Sequence, residues 1–258
     1  MQIAGIQKMT LVDFPGHVAA TVFTRGCSFR CGFCHNPELV LPEQFNPLLE
    51  ERQIFDFFES RFGKLTGVCL TGGEPLLQTD ADQFISHVKA LGFDVKLDTN
   101  GSFPDRLEKI IKDGDVDYIA MDIKSPLSKY AATVFGEKYL GSDNQMLNTK
   151  YQILNTKKGD MDENGTSNLA ERVQRSIKLI MSSSIDYEFR TTVCHPLHEV
   201  FDFEEIGQLI QGAKRYFIQQ FVKSKQLNST VEYKPFTDSE IAEVKNIMTR
   251  FVKYVELR

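Results

Sequence analysis

Short apolar segments rich in β-branched residues alternate along the chain with longer segments whose apolar residues recur at helical spacing. The short segments predict strands over residues 18–24, 67–71, 94–98, 117–123, 187–193 and 216–221, with a last strand near residue 254. The longer segments predict helices over residues 48–62, 80–91, 104–112, 169–181, 203–211 and 239–251. Because strands that alternate with helices form parallel sheets, we predict one α/β domain over residues 1–258, a partial (β/α)6-type TIM barrel.

One stretch interrupts this alternation. Residues 137–167 are rich in Asn, Lys, Asp, Gly and Thr, and the run Leu-Asn-Thr-Lys occurs there twice. Long polar segments inside a compact domain are usually exposed excursions from the fold. We therefore predict a polar insertion between the fourth and fifth of the predicted strands.

Composition excludes some classes of function. The net charge is -5 and the isoelectric point is near 5.6, whereas proteins that grip a phosphate backbone usually carry a basic surplus, so no nucleic-acid partner is expected. No apolar run approaches the length of a membrane span, and we expect no membrane partner and a cytoplasmic protein. The cysteines number five, an odd count, with three of them clustered, which favours a metal or redox loop over a disulfide framework.

The clustered residues Cys27, Cys31 and Cys34 carry the strongest chemical signal in the sequence. Three thiolates at this spacing can surround one corner of a four-iron cluster, which normally takes four cysteine ligands. The fourth cysteine is missing locally, so one iron would be open to a ligand that is not protein. A structural zinc site is the main alternative, with His35 as a fourth ligand, but adjacent side chains seldom close on one ion and only Cys31 and Cys34 form a C-x2-C pair.

The pattern C-x3-C-x-aromatic-C, with Phe33 at the aromatic position, resembles the defining motif of the radical S-adenosylmethionine superfamily. The resemblance implies a [4Fe-4S] cluster held by Cys27, Cys31 and Cys34, with S-adenosylmethionine on the open iron. It also implies that both cofactors lie at the carboxyl-terminal rim of the barrel.

Further segments are similar to the cofactor-binding segments of that superfamily. Residues 71–75, Thr-Gly-Gly-Glu-Pro, resemble the segment that binds the methionyl ammonium group, and Asp98 and Lys124 offer the two charges that a zwitterionic ligand needs. Asp122 is expected beside the ribose or a monovalent cation, Arg190 inside the barrel mouth, and Phe33 to His35 beside the adenine. The implied cofactor-binding residues are Phe33, Cys34, His35, Gly72, Gly73, Glu74, Asp98, Asn100, Asp122, Lys124 and Arg190.

Within the superfamily the sequence most resembles glycyl-radical activating enzymes, above all the activating proteins of anaerobic ribonucleoside-triphosphate reductase. The fragments that carry this resemblance include residues 13–16 (Asp-Phe-Pro-Gly), 34–39 (Cys-His-Asn-Pro-Glu-Leu), 188–193 (Glu-Phe-Arg-Thr-Thr-Val) and 217–221 (Phe-Ile-Gln-Gln-Phe). The resemblance implies a large glycyl-radical enzyme as partner, namely the large subunit of that reductase, and a low-potential electron donor such as flavodoxin or ferredoxin. An activase of pyruvate formate-lyase or a related enzyme, and a small-molecule enzyme such as a deazapurine synthase, remain alternatives.

Residues outside the predicted cofactor site also have candidate roles. We expect the target peptide to enter the carboxyl face near residues 13–16 and near the loop that follows Val193. Positive charge at Arg25 and Arg30 is expected to favour the reduced cluster or to dock an acidic donor. In the loop after Val193, a second metal site at Cys194, His195 and His198 is weakly indicated, and a role in facing the substrate is favoured for these residues.

Overall fold

The computed structural model describes residues 1–136, 169–223, 225–227 and 230–258. One sheet of eight strands organises them, and its strands lie in the order in which they occur along the chain. The first pair is antiparallel and all later pairs are parallel. The strands are β1 (Ile3–Thr10), β2 (Ala19–Thr24), β3 (Gly67–Gly72), β4 (Asp94–Thr99), β5 (Tyr118–Asp122), β6 (Asp186–Val193), β7 (Tyr216–Gln220) and β8 (Val255–Leu257). The sheet is open, with β1 and β8 at its edges, which confirms the predicted partial barrel.

Helices connect the parallel strands, as the βαβ pattern requires. The α-helices of the described residues are α1 (Pro37–Val40), α2 (Glu51–Glu59), α3 (Ala81–Ala90), α4 (Pro104–Asp113), α5 (Tyr130–Phe135), α6 (Leu169–Ser182), α7 (Asp202–Leu209) and α8 (Asp238–Met248). Short 3-10 turns lie at Pro42–Gln44, Pro75–Leu77 and Leu127–Lys129. None of the helices in this part of the chain is long and apolar enough to cross a membrane.

The sheet separates an apolar layer from a polar interior. Val95 and Leu97 of β4 belong to the main core, together with residues of the surrounding helices. Because side chains alternate along a strand, Lys96 and Asp98 lie on the opposite, inner face. Glu188 of β6, which is fully buried, lies on the same inner face. The inside of the partial barrel is therefore lined with charges that must be paired.

The structure adds elements that the sequence pattern did not predict. These are the antiparallel edge strand β1 and the short helices α1 and α5. The predicted helix 48–62 is shorter than expected, since α2 ends at Glu59 and turns follow it. The predicted insertion at residues 137–167 lies outside the described residues.

The turn at residues 13–16 lies at the opposite end of the barrel from the cysteine loop. The Thr21 hydroxyl donates a hydrogen bond of 2.6 Å to the Asp13 carboxylate. The Phe14 ring covers Gly67, the first residue of β3, so closely that a Cβ there would lie 2.8 Å from the ring. Phe14 also packs against Tyr118, the first residue of β5. Since these are the amino ends of parallel strands, the prediction that a peptide enters the carboxyl face near this turn is wrong.

Candidate functional site

The carboxyl ends of the parallel strands surround one cavity. The cysteine loop follows β2, and the loops after β3, β4 and β5 lie beside it, as expected where parallel strands end at one rim. Every residue predicted to hold a cofactor lines this cavity: Cys27, Cys31, Phe33, Cys34, His35, Gly72, Gly73, Glu74, Asp98, Asn100, Asp122, Lys124 and Arg190.

The cysteine loop is held in place by its own backbone and by Arg30. The Arg30 guanidinium donates hydrogen bonds to the carbonyl oxygens of Cys27, at 2.8 Å, and Phe29, at 2.7 Å. None of the three cysteines forms a disulfide. Burial raises the pKa of the Cys31 thiol to about 12 and that of Cys27 still further, so a bound metal must displace the thiol protons. Arg30 thus braces the loop that carries the thiols.

Gly72 and Gly73 bring the loop after β3 into backbone contact with the start of the cysteine loop. The Gly73 amide donates to the Thr24 carbonyl oxygen at 3.0 Å, and the Glu74 amide donates to the Gly26 carbonyl oxygen at 2.8 Å. A Cβ at Gly73 would lie 1.9 Å from that Gly26 oxygen, and Gly72 has a φ of 121°. Both glycines are therefore required for the two loops to pack together.

Replacing Gly73 with alanine is expected to displace the start of the cysteine loop. Overpacking of this kind costs about 1–3 kcal/mol of the free energy of unfolding and should lower the iron taken up per chain. Urea unfolding and iron analysis measure the two effects. The matched control is Gly5→Ala, because a Cβ at Gly5 meets nothing within 4 Å. Equal stability and equal iron content in the two variants would contradict this account of the glycine.

Arg190 joins two carboxylates above the polar interior. Its Nε lies 2.7 Å from Asp122 Oδ1, and its terminal nitrogen lies 3.3 Å from Asp98 Oδ2. The Lys124 ammonium reaches the other Asp122 oxygen at 2.9 Å, and Lys96 reaches Asp98 Oδ1 at 2.5 Å. Burial alone raises the pKa of both aspartates, but the charge of Arg190, with Lys124 at Asp122 and Lys96 at Asp98, outweighs it and holds each pKa below its usual value. The site thus contains two ionised carboxylates and three cations in alternation.

Glu74 ties two loops together through three hydrogen bonds. Its carboxylate is fully buried and accepts hydrogen bonds from the Leu76 amide (3.0 Å), the Thr99 hydroxyl (2.8 Å) and the Asn100 amide (2.7 Å). Burial raises the pKa of this carboxyl to about 7, against the three hydrogen bonds that favour the carboxylate. Its side chain therefore fixes the loop after β4 relative to the loop after β3.

Phe33 and His35 form the side of the cavity near β7. The Phe33 ring is 5% exposed and meets the rings of His198 and Tyr233 edge-on. The His35 ring lies 5.4 Å from that of Phe221, and its Nε2 is buried without a hydrogen-bond partner in the described part of the chain. This nitrogen is thus available to a ligand.

His198 is a buried residue that supports the loop after β5, a role that the sequence did not predict. It is fully buried, and its Nε2 lies 2.7 Å from the carbonyl oxygen of Lys124. Since a carbonyl only accepts, Nε2 carries the proton, and Nδ1 then accepts from the Cys194 amide at 3.3 Å. The expectation that Cys194 and His198 face the substrate is wrong, because both are fully buried and neither lines the cavity. Among the residues described, Cys194, His195 and His198 do not form a group that could hold a metal ion.

The residues present fit a cluster and a zwitterionic ligand. Three thiols that are free of disulfides line the cavity, which suits a cluster corner. Carboxylates, ammonium and guanidinium groups line the same cavity, together with His35, whose Nε2 has no hydrogen-bond partner in the described part of the chain. Soft donors for iron and paired charges for an amino acid moiety therefore share one cavity.

Comparisons with known proteins agree with this chemistry. The profile of the Radical SAM superfamily matches residues 21–141. A protein of Methanocaldococcus jannaschii, described as a candidate glycyl-radical enzyme activating enzyme, is 27% identical over 99% of this chain and 95% of its own length. The pyruvate formate-lyase-activating enzyme of Clostridium pasteurianum is 35% identical over 133 residues, 48% of this chain and 52% of the relative. This chain thus matches about half the length of that relative.

A solved structure shows the same fold. SuiB of Streptococcus suis, in a crystal structure with bound S-adenosylmethionine, superimposes with a TM-score of 0.59 at 13% identity, over 90% of this chain and 48% of SuiB. The chain matches the radical S-adenosylmethionine superfamily over residues 21–141 and is similar to a glycyl-radical enzyme activating enzyme over nearly its whole length. The cofactors of this superfamily are a [4Fe-4S] cluster and S-adenosylmethionine.

Proposed function

We propose that this chain generates a glycyl radical on anaerobic ribonucleoside-triphosphate reductase by reductive cleavage of S-adenosylmethionine. The observation that carries the proposal is the one cavity that the three thiols, Cys27, Cys31 and Cys34, line together with the charged groups of the strand ends. The likeness to a glycyl-radical activating relative over nearly the whole chain supports the activase assignment. When bound, the two cofactors supply one-electron cleavage of the sulfonium bond and a 5'-deoxyadenosyl radical that abstracts the glycine hydrogen atom.

In this proposal, the residues of the chain bind and orient the two cofactors. Cys27, Cys31 and Cys34 hold the cluster and leave one iron free of protein ligands. Asp98 and Lys124 offer a carboxylate and an ammonium group to the amino acid moiety of the cofactor. Both are already ionised and held by neighbouring charges, so the site needs little rearrangement to receive a zwitterion.

The remaining cofactor contacts follow from position in the cavity. The backbone of Gly72 and Gly73 is proposed to bind the methionyl ammonium group, and Phe33, Cys34 and His35 to contact the adenine. Asp122, Arg190, Glu74 and Asn100 complete this proposed set. A monovalent cation beside Asp122 remains part of the proposal, although Arg190 and Lys124 already neutralise its two oxygens. No side chain is required to act as an acid or a base.

The second candidate is an activase of pyruvate formate-lyase. It is favoured by the 35% identity, over 133 residues, to the pyruvate formate-lyase-activating enzyme of Clostridium pasteurianum, which is higher than the 27% identity to the relative from Methanocaldococcus jannaschii. A low-potential flavodoxin or ferredoxin is proposed as electron donor in either case.

Incubation with each partner separates the two candidates. The iron-loaded chain, reduced anaerobically in the presence of S-adenosylmethionine, is mixed with the purified large subunit of the reductase or with pyruvate formate-lyase. We expect a glycyl-radical signal by electron paramagnetic resonance on the reductase alone. A signal on the lyase alone supports the second candidate, and turnover of a free small substrate with no signal on either protein refutes both.

A further inference from the structure

We propose that Asn100 is a positioning residue that sets the reduction potential of the cluster through a hydrogen bond to the sulfur of Cys27. The inference rests on the proposed function, because it concerns the cluster that the cysteine loop would hold. It gives Asn100 a second role, beside the proposed contact with the cofactor.

The side chain of Asn100 lies against the first cysteine of the loop. Its Nδ2 is 3.7 Å from Cys27 Sγ, within hydrogen-bond range for sulfur, and 3.1 Å from the Ser28 hydroxyl oxygen. Its Oδ1 accepts a hydrogen bond from the Ser102 amide at 2.9 Å. Because a backbone amide only donates, Oδ1 must face Ser102, and the NH2 group must therefore face Cys27.

The surrounding structure fixes this orientation. Asn100 is 5% exposed, and its backbone amide donates to Glu74, whose carboxylate is fully buried. The hydroxyl groups of Ser28 and Ser102 lie 2.7 Å apart and close the network around the amide. Since every polar group of the side chain has a partner, rotation away from Cys27 would leave buried groups unpaired.

Cys27 receives one other hydrogen bond among the described residues, from the backbone amide of Phe29 at 3.4 Å. Asn100 is therefore the donor to Cys27 that a substitution can remove without changing a residue of the cysteine loop, although the bond to the Ser28 hydroxyl is lost with it. Hydrogen bonds to the sulfurs of an iron-sulfur cluster help set its reduction potential. Because they stabilise the more negative, reduced form, losing one makes the cluster harder to reduce.

The test is an anaerobic redox titration of the full iron-loaded chain without S-adenosylmethionine, followed by electron paramagnetic resonance. Asn100→Leu removes the donor at similar volume, and Asn100→Asp keeps the acceptor for Ser102 but presents an oxygen to Cys27. We expect the midpoint potential to fall in Asn100→Leu and to fall further in Asn100→Asp. Ser102→Ala is the matched control, since it removes a hydroxyl from the same network without touching Cys27, and its potential should equal that of the wild type.

Three results would overturn the inference or its basis. Unchanged potentials in both Asn100 variants, at full iron content, overturn the inference alone and leave the proposed function intact. A fall of equal size in the midpoint potential of Ser102→Ala also overturns the inference, because the effect would then come from a general loosening of the hydrogen-bond network. A wild-type chain that takes up no four-iron cluster refutes the proposed function and the inference together. If Asn100→Leu takes up no iron, the midpoint potential of Asn100→Asp is the test: a fall supports the inference, and a potential equal to that of the wild type overturns it.

Discussion

Replacing Cys31 with alanine is expected to leave the chain without a stable cluster and to reduce cleavage of S-adenosylmethionine to background. The loop offers three thiols to a cluster that normally takes four cysteine ligands, so losing one leaves two irons without a protein ligand. Iron and sulfide analysis after anaerobic reconstitution measures the first effect. Chromatographic detection of 5'-deoxyadenosine measures the second.

Cys69→Ala is the matched control for this experiment. Cys69 is also fully buried and free of disulfides, but it lies within β3, where its sulfur is 3.8 Å from the Lys96 ammonium. The control should keep its iron and its cleavage activity. A Cys31→Ala protein that retains both, or a control that loses both, would contradict the assignment of the loop.

Replacing Arg190 with methionine is expected to cost about 3–5 kcal/mol of the free energy of unfolding, because it leaves charges buried without their partner. The Arg190 side chain is 12% exposed, and its guanidinium is shared by Asp98 and Asp122. The same substitution should weaken binding of S-adenosylmethionine at least tenfold, since it disturbs the proposed ligands. Urea unfolding and equilibrium binding measure the two quantities.

A surface arginine offers the matched control for Arg190. Arg175 also joins two carboxylates, Asp105 and Glu108, but its side chain is 47% exposed. Exposed pairs contribute about 0–1 kcal/mol, so Arg175→Met should unfold almost as the wild type does. Equal losses of unfolding free energy in the two variants would contradict the claim that burial makes the ion pairs of Arg190 important for stability.

The stability difference between wild type and Arg190→Met should depend on pH with a defined sign. In the wild type the pKa values of Asp98 and Asp122 are lowered, so their contribution is present above about pH 4 and is lost as the pH falls through the lowered values. Without Arg190, burial raises both pKa values, and protonation at low pH relieves the buried charge. The difference should therefore shrink as the pH falls from 7 towards 4, and a constant difference would contradict the pairing.

Regular periodicity made most of the sheet predictable. The strand predicted at 94–98 is observed as Asp94–Thr99, because charged residues alternate there with the apolar residues Val95 and Leu97. β1 was missed because it is an edge strand whose middle residues are exposed, so its apolar pattern is weak. α5 was missed because it has only six residues, among them Thr133, Val134 and Phe135, which are poor helix formers.

The residue types of the site were predictable, but their partners were not. Asp98 and Lys124 were expected to await a ligand, whereas the structure pairs Asp98 with Lys96 and Arg190, and Lys124 with Asp122. The contribution of Lys96 could have been inferred, since residues two apart on a strand share a face. The contact of His198 with Lys124 joins residues 74 positions apart and leaves no local signal in the sequence.

The most direct test of the account is the spectrum of the reduced cluster before and after addition of S-adenosylmethionine. If Cys27, Cys31 and Cys34 leave one iron free of protein ligands, the added molecule binds that iron and changes the electron paramagnetic resonance signal. An identical signal with and without saturating S-adenosylmethionine would contradict the account.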